Sequence, residues 1–367
     1  MIGSVLFLLG GVLVMAVNCD TFMRIPLQDI HQNYYVADLS VGNPPVTYKA
    51  LIDTGSCLTW IPSRNMRKFW RNILHGRWRT SSTEEATGHE FVKCYVADEY
   101  RGILVRETIG FPGTSSANVI IGKVQEDVGR TCRSNPFEGI VGLCYDTDRD
   151  ETQPKLMDQL VDKLVIERPI FSIWLNPEKK NNRPPGYLVL GGIDPSFHVG
   201  KLFYVDASGY DPQLWTVMID GIQVGESKFI EDGTFAVIDS GSPWIQISPD
   251  SLKEIHQIVK PIRFSDGFHF VDCSTMLQLP VIHFLLLGGQ RLSLEPQYYV
   301  FKDEAWGRRT LCYLRIRQPT AKSLKTMIFG IPLLKKYYTV FDQAAQKVGF
   351  APANPYPNMD TCSSSVL

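Results

Sequence analysis

Leu51-Ile52-Asp53-Thr54-Gly55-Ser56 and Val237-Ile238-Asp239-Ser240-Gly241-Ser242 carry one pattern twice. Each runs two apolar residues into an Asp, a hydroxyl residue, a glycine and a serine. One such turn alone says little, because Asp and Gly often close strands. The flanks repeat too. Val41-Gly42 precedes the first copy and Val224-Gly225 the second, while Trp60-Ile61 and Trp244-Ile245 follow them. Ile140-Val141-Gly142 ends 89 positions after Asp53 (53 to 142), and Ile328-Phe329-Gly330 ends 91 after Asp239 (239 to 330). Ordered features shared at near-equal spacing point to a duplicated unit. A chain of 367 residues is long enough for two such cores.

Short apolar or alternating runs closed by Gly, Pro, Asn or Asp predict strands. Examples are Tyr34 to Val41, Val46 to Ile52, Gly186 to Leu190, Phe235 to Ile238 and Thr339 to Phe341. Helical spacing is confined to short stretches such as Leu156 to Leu164 and Ser251 to Val259, the latter opened by Ser248-Pro249. The expected fold class is mostly β.

Two carboxylates at matching places in two halves suit one reaction class. Hydrolysing an amide without a metal or a covalent nucleophile takes a base to activate water. It also takes an acid to protonate the carbonyl oxygen and the leaving amine. Asp53 and Asp239 together supply both, since like charges a few ångströms apart do not both ionise and the pair keeps one proton. Gly55 and Gly241 let the two turns come close. Thr54 and Ser240 offer hydroxyls to the opposite loop.

Composition narrows the partners. Hydrophobic residues make up 44% and charged residues 20%, with a formal net charge of −1, so no concentrated basic surface suggests nucleic acid. The histidines are scattered and Cys-x-x-Cys pairs are absent, so neither a metal nor another cofactor is expected. Val5 to Val17 is too short for a comfortable bilayer span, and residues 1–16 are expected to be a cleaved secretory signal. No transmembrane anchor is expected elsewhere. Eight cysteines fit an oxidising compartment.

From Pro26 to Pro352 the sequence resembles the pepsin-like aspartic proteases. The two Asp motifs match the family's active-site pair, the second in its Ser-containing form. Phe137-Glu138-Gly139-Ile140-Val141-Gly142-Leu143, Leu190-Gly191-Gly192-Ile193-Asp194, Tyr337-Tyr338-Thr339-Val340-Phe341-Asp342 and Lys347-Val348-Gly349-Phe350-Ala351 match further family segments. The resemblance implies a two-lobed acid-protease fold with the cleft between duplicated β lobes. Residues 20–205 would form the N-terminal lobe, with the first catalytic Asp and the flap, and residues 206–367 the C-terminal lobe with the second. It implies an aspartic endopeptidase acting on polypeptides, with Asp53 and Asp239 catalytic. Thr54, Gly55, Ser56, Ser240, Gly241 and Ser242 would support them. Tyr95 takes the place of the flap tyrosine and Trp60 that of the tryptophan meeting it. Cys273 and Cys312 sit where the family has a disulfide. Pepstatin-like inhibitors are implied, as are a monomer and a secreted or acidic, lysosome-like location.

Several features depart from the family. Tyr95-Val96-Ala97-Asp98 stands where Tyr-Gly-Thr-Gly is common, which predicts a stiffer tip, weaker pepstatin binding and, through Asp98 and Glu99, a bias towards Lys or Arg near the cut. Ile331 stands where many acid-acting members have Asp, predicting a less acid working range. Arg64 to Arg79 holds six basic residues and is expected to be a solvated insertion, and Asp146 to Glu151 a loop. Cys57, Cys94, Cys132 and Cys144 are extra, with pairing open, as it is for Cys19 and Cys362. Little chain separates the signal from Pro26, so activity without proteolytic maturation is expected. The alternative function is a catalytically impaired homologue that binds peptides in the cleft, which the altered flap motivates and the two intact Asp motifs oppose.

Overall fold

A computed structural model of the chain describes residues 22–64, 80–95, 98–128, 136–145, 154–178, 183–207, 211–304, 310–319 and 326–358. The expected signal, nearly all of the basic insertion, the acidic loop, Val96, Ala97, Cys19, Cys132 and Cys362 lie outside them. The fold is mostly β, as the runs of alternating and β-branched residues predict. Tyr34–Val41 and Gly186–Leu190 are strands with the expected ends, and Thr339 to Phe341 lies inside a longer one, Tyr337–Asp342. The helix Pro249–Val259 begins where Ser248-Pro249 placed it, with the Ser248 hydroxyl accepting the Ser251 N–H at 3.1 Å.

The duplication is visible in strand order. In the first half, Val46–Asp53 runs parallel to Gly139–Gly142, which neighbours Trp60–Pro62, which runs parallel to Ala117–Asp127. In the second, Ser227–Ile238 runs parallel to Met327–Phe329, then comes Ile245–Gln246, then Ile316–Arg317. Each Asp therefore leaves a strand beside an apolar-apolar-Gly segment. Parallel strands are covered on both faces, which is why Gly139–Gly142 is fully buried and reads as a continuous apolar run.

The halves share one floor. Phe203–Asp206, Lys347–Pro352, Tyr337–Asp342, Ile170–Leu175, Gly186–Leu190 and Met23–Ile30 lie side by side, each antiparallel to the next. Met23–Ile30 pairs with Gly186–Leu190 through its first residues and with Tyr34–Val41 through its last, joining floor to first-half sheet. In the core, Phe171 stacks on Phe341 at 4.6 Å and Trp215 packs against the edges of both. The Trp215 indole N–H donates to the carbonyl of Leu143 at 2.8 Å, tying the second half to the strand end beside Asp53. No helix among the described residues is long and apolar enough to cross a membrane.

Candidate active site

Asp53 and Asp239 meet because the loops behind them are cross-bonded. The Thr54 N–H donates to Ser240 Oγ at 3.0 Å, and the Ser240 N–H to Thr54 Oγ1 at 2.9 Å. The Thr54 hydroxyl donates onward to the Ile238 carbonyl at 2.7 Å and the Ser240 hydroxyl to the Ile52 carbonyl at 2.7 Å. Each hydroxyl thus donates once and accepts once, in a two-fold arrangement buried at the junction of the halves. A buried polar network with every member satisfied is rigid, so the carboxylates in front inherit a fixed separation.

The glycines are where that separation is tightest. A Cβ on Gly241 would lie 2.4 Å from Asp53 Oδ1, and one on Gly55 would lie 2.7 Å from Asp239 Oδ1. Each turn is pressed against the opposite carboxylate, and no larger residue fits without displacing it.

The two carboxyls are not equivalent. Asp53 accepts the Gly55 N–H at 3.0 Å and the Ser56 hydroxyl at 2.5 Å. Asp239 accepts the Gly241 N–H at 2.8 Å, but the Ser242 hydroxyl turns away and donates to the Trp244 carbonyl at 3.1 Å. Burial raises the pKa of both. Ser56 and Gly55 counter part of the rise for Asp53, whereas burial and the nearby Asp53 charge hold Asp239 well above the usual carboxylate range. The hydrogen bonds to Asp53 favour its anion more than those to Asp239 favour the second, and the titration belongs to the pair.

A stability test follows from the sign of these shifts. Both groups bind protons more tightly folded than unfolded, so their contribution is fully present below the unfolded pKa of about 3.9. It is lost as pH rises through the folded values. Asp239→Asn removes that loss. Its melting temperature, measured against wild type, is expected to gain more at pH 7 than at pH 3. An equal offset at both would contradict the raised pKa.

Above the dyad, the Trp60 indole N–H donates to the Tyr95 hydroxyl at 3.1 Å. Trp60 and Tyr95 were both named by the family resemblance. Tyr100 was not; its ring lies 4.8 Å from that of Trp60 and 5.6 Å from that of Tyr95, clamping the pair from the opposite strand of the hairpin. Aromatic residues paired across a hairpin at this spacing were the signal available. Glu99 is ion-paired with Arg101 at 2.6 Å, which leaves less of its charge to attract a cationic substrate. Ile331 is fully buried, with its N–H donating to the Ser242 carbonyl at 2.9 Å, so the position is coupled to the second active loop through backbone.

Cys273 and Cys312 are bridged, as the resemblance implied, and Cys57 pairs with Cys144. The second bridge links the residue after Ser56 to the segment leaving Gly142, so it braces the first active loop from outside. Cys94 is exposed and bridged to no cysteine among the described residues. Among the described residues no group of three or more His, Cys, Asp or Glu side chains gathers as a metal site would require.

Comparison with known proteins agrees with this geometry. The profile of the family described as Eukaryotic aspartyl protease matches residues 34–353. The chain is 30% identical over 332 residues to pepsin A of Sus scrofa, covering 89% of this chain and 83% of that one. It is 28% identical over 375 residues to cathepsin D of Rattus norvegicus, covering 96% and 89%. This chain belongs to the eukaryotic aspartyl protease family. The family's reaction is peptide-bond hydrolysis by a pair of aspartates sharing one proton.

Proposed function

We propose that this chain is an active aspartic endopeptidase that cleaves polypeptides with Asp53 and Asp239 as its acid–base pair. The observation that carries this is the reciprocal Thr54–Ser240 network, which holds two carboxyls face to face with one bonded more strongly as the anion. Asp53 is the base that takes a proton from the attacking water. Asp239 gives its proton to the substrate carbonyl oxygen, which relieves the charge that would otherwise build there. In the second stage the proton on Asp53 passes to the amine nitrogen as the C–N bond breaks, and Asp239 recovers its own from the collapsing diol. The pair ends as it began.

The repeated strand order supports assigning one carboxylate to each lobe, residues 20–205 and 206–367. Tyr95, held by Trp60, closes over the bound peptide, whose backbone lies extended beneath the hairpin in the manner of an added strand. The two disulfides support folding and action in an oxidising secretory or acidic compartment. The altered flap favours no loss of activity on its own, because the Trp60–Tyr95 hydrogen bond remains.

The test is incubation with an unfolded protein at pH values from about 3 to 7, where carboxylate pairs titrate. Fragments should appear in wild type and be suppressed by pepstatin. Complete absence of fragments across that range would overturn the assignment and leave a peptide-binding homologue.

A further inference from the structure

We propose that Arg317, with Arg315 beside it, forms a subsite that accepts an acidic side chain of the peptide substrate. The inference rests on the endopeptidase assignment above and names the substrate class of that cleft.

Arg315 stands at the bend between the strands Leu311–Leu314 and Ile316–Arg317, so two guanidinium groups lie two residues apart on either side of Ile316. Ile316–Arg317 belongs to the sheet whose strand Ser227–Ile238 leads into Asp239, pairing with Ile245–Gln246 a few residues after Ser242. Arg315 is buried and crosses to the first half, donating to the Gln32 carbonyl at 2.6 Å and to Asn33 Oδ1 at 2.7 Å. Tyr34 follows those two residues and lies close enough for both arginines to act on its hydroxyl. The arginines therefore sit where the two halves face one another, along the line of the cleft.

Among the described residues neither cation is ion-paired with a carboxylate. Arg317 is half-buried, and its guanidinium lies 4.6 Å above the Trp244 ring. Its Nε is buried with no hydrogen-bond acceptor among the described residues. Arg315 stacks on Phe301 at 4.1 Å, and its hydrogen bonds among the described residues go to neutral oxygens. The acidic group acting on Arg315, Asp29, is already engaged by the Gln32 N–H at 2.6 Å, by the Tyr35 hydroxyl at 3.3 Å and by Lys335 at 4.0 Å. Burying a cation without an anion is costly, and an unmade hydrogen bond at a buried donor adds to the cost. A stacked guanidinium keeps its edge free and presents parallel N–H groups that match a carboxylate. The surroundings suit a peptide as well, since Trp244, Phe268, Phe301 and Tyr313 form a half-exposed aromatic row beneath the cations.

Position along the substrate follows from the sheet. Arg317 lies three ladders from the strand that delivers Asp239, about 14 Å at roughly 4.8 Å per ladder. An extended peptide advances about 3.3 Å per residue, and side chains from both partners shorten the gap. The acidic residue therefore lies about two to four positions from the cut bond, on one side of it only.

The experiment uses peptides with an apolar centre, acetylated and amidated so that no terminal carboxylate contributes. Glu replaces Gln at each of the second to fourth positions on either side, near pH 5.5, about one unit above the ordinary Glu pKa. Wild type should favour Glu over Gln at one position on one side by about tenfold or more in kcat/KM, the range of a desolvated charge pair. In Arg317→Gln that ratio should fall to near one, and Arg317→Lys should restore part of it. A parallel arm measures binding of the same peptides to Asp239→Asn, by fluorescence anisotropy, with and without Arg317→Gln. If no peptide is cut but Glu peptides still bind better through Arg317, the endopeptidase assignment fails and the acid subsite stands. Equal cleavage of Glu and Gln peptides by wild type, equal binding, or a Glu preference that survives in Arg317→Gln would overturn the subsite.

Discussion

Asp53→Asn and Asp239→Asn are each expected to lower kcat by about 10³-fold or more, with the fold intact. General acid–base participation alone contributes roughly 10²–10⁴-fold, and here each carboxyl serves in both stages of the reaction. Asn keeps the shape of Asp and can still accept the Gly55 or Gly241 N–H, so the Thr54–Ser240 network behind it has no cause to move. What disappears is the transferable proton or its acceptor. Because the two residues act as a unit, the double variant should be little worse than either single one. Steady-state cleavage of a fluorogenic peptide, with melting temperatures as a control on folding, checks this. Turnover within tenfold of wild type in either variant would remove the dyad from the mechanism.

Gly241→Ala is expected to have the next largest effect, a loss of about 10²-fold or more in kcat/KM. The added methyl would sit 2.4 Å from Asp53 Oδ1, well inside contact distance. Something must shift. The Thr54–Ser240 network resists movement of the loops, so the carboxylate is displaced instead. Misplacing a reacting group by about 1 Å costs on the order of 10²-fold. Gly55→Ala, whose methyl would lie 2.7 Å from Asp239 Oδ1, should follow with a somewhat smaller loss. Kinetics on both alanine variants, alongside the Asn variants, separates displacement of a carboxyl from removal of its chemistry. Near-wild-type activity in both would show that the close approach is not needed.

Much of the fold and the centre of the site could be read from the sequence because both rest on local pattern. Strands such as Tyr34–Val41 show themselves through alternation and β-branching. The two Asp loops show themselves because a duplicated unit repeats its spacing. Cross-loop bonding by Thr54 and Ser240 was also within reach, since a hydroxyl at each Asp loop has few other uses. The rest depended on contacts distant in sequence. Nothing local shows that Trp215 reaches the Leu143 carbonyl, 72 residues away. Nor does it show that Arg315 crosses 282 positions to Asn33. The choice of Cys144 as partner for Cys57 likewise follows only once Gly139–Gly142 is seen beside the strand leading to Asp53. The inequality of the two carboxyls was hidden for another reason. Ser56 and Ser242 each close an Asp-hydroxyl-Gly-Ser turn, but their hydroxyls turn different ways, one towards Asp53 and the other towards Trp244.

The pH dependence of kcat/KM for one good peptide, in wild type and in Asp239→Asn, tests the shared proton most directly. The wild-type profile should be bell-shaped, because activity requires one carboxyl ionised and the other protonated. Its acid limb marks uptake of a second proton by the pair, and its alkaline limb marks loss of the one proton the pair shares. The alkaline limb should lie well above the ordinary carboxylate range, in keeping with the burial of Asp239 beside the Asp53 charge. Asp239→Asn should lose the bell along with the rate. A wild-type rate that climbs steadily through neutral pH, with the same profile in Asp239→Asn, would contradict a one-proton aspartate pair as the source of catalysis.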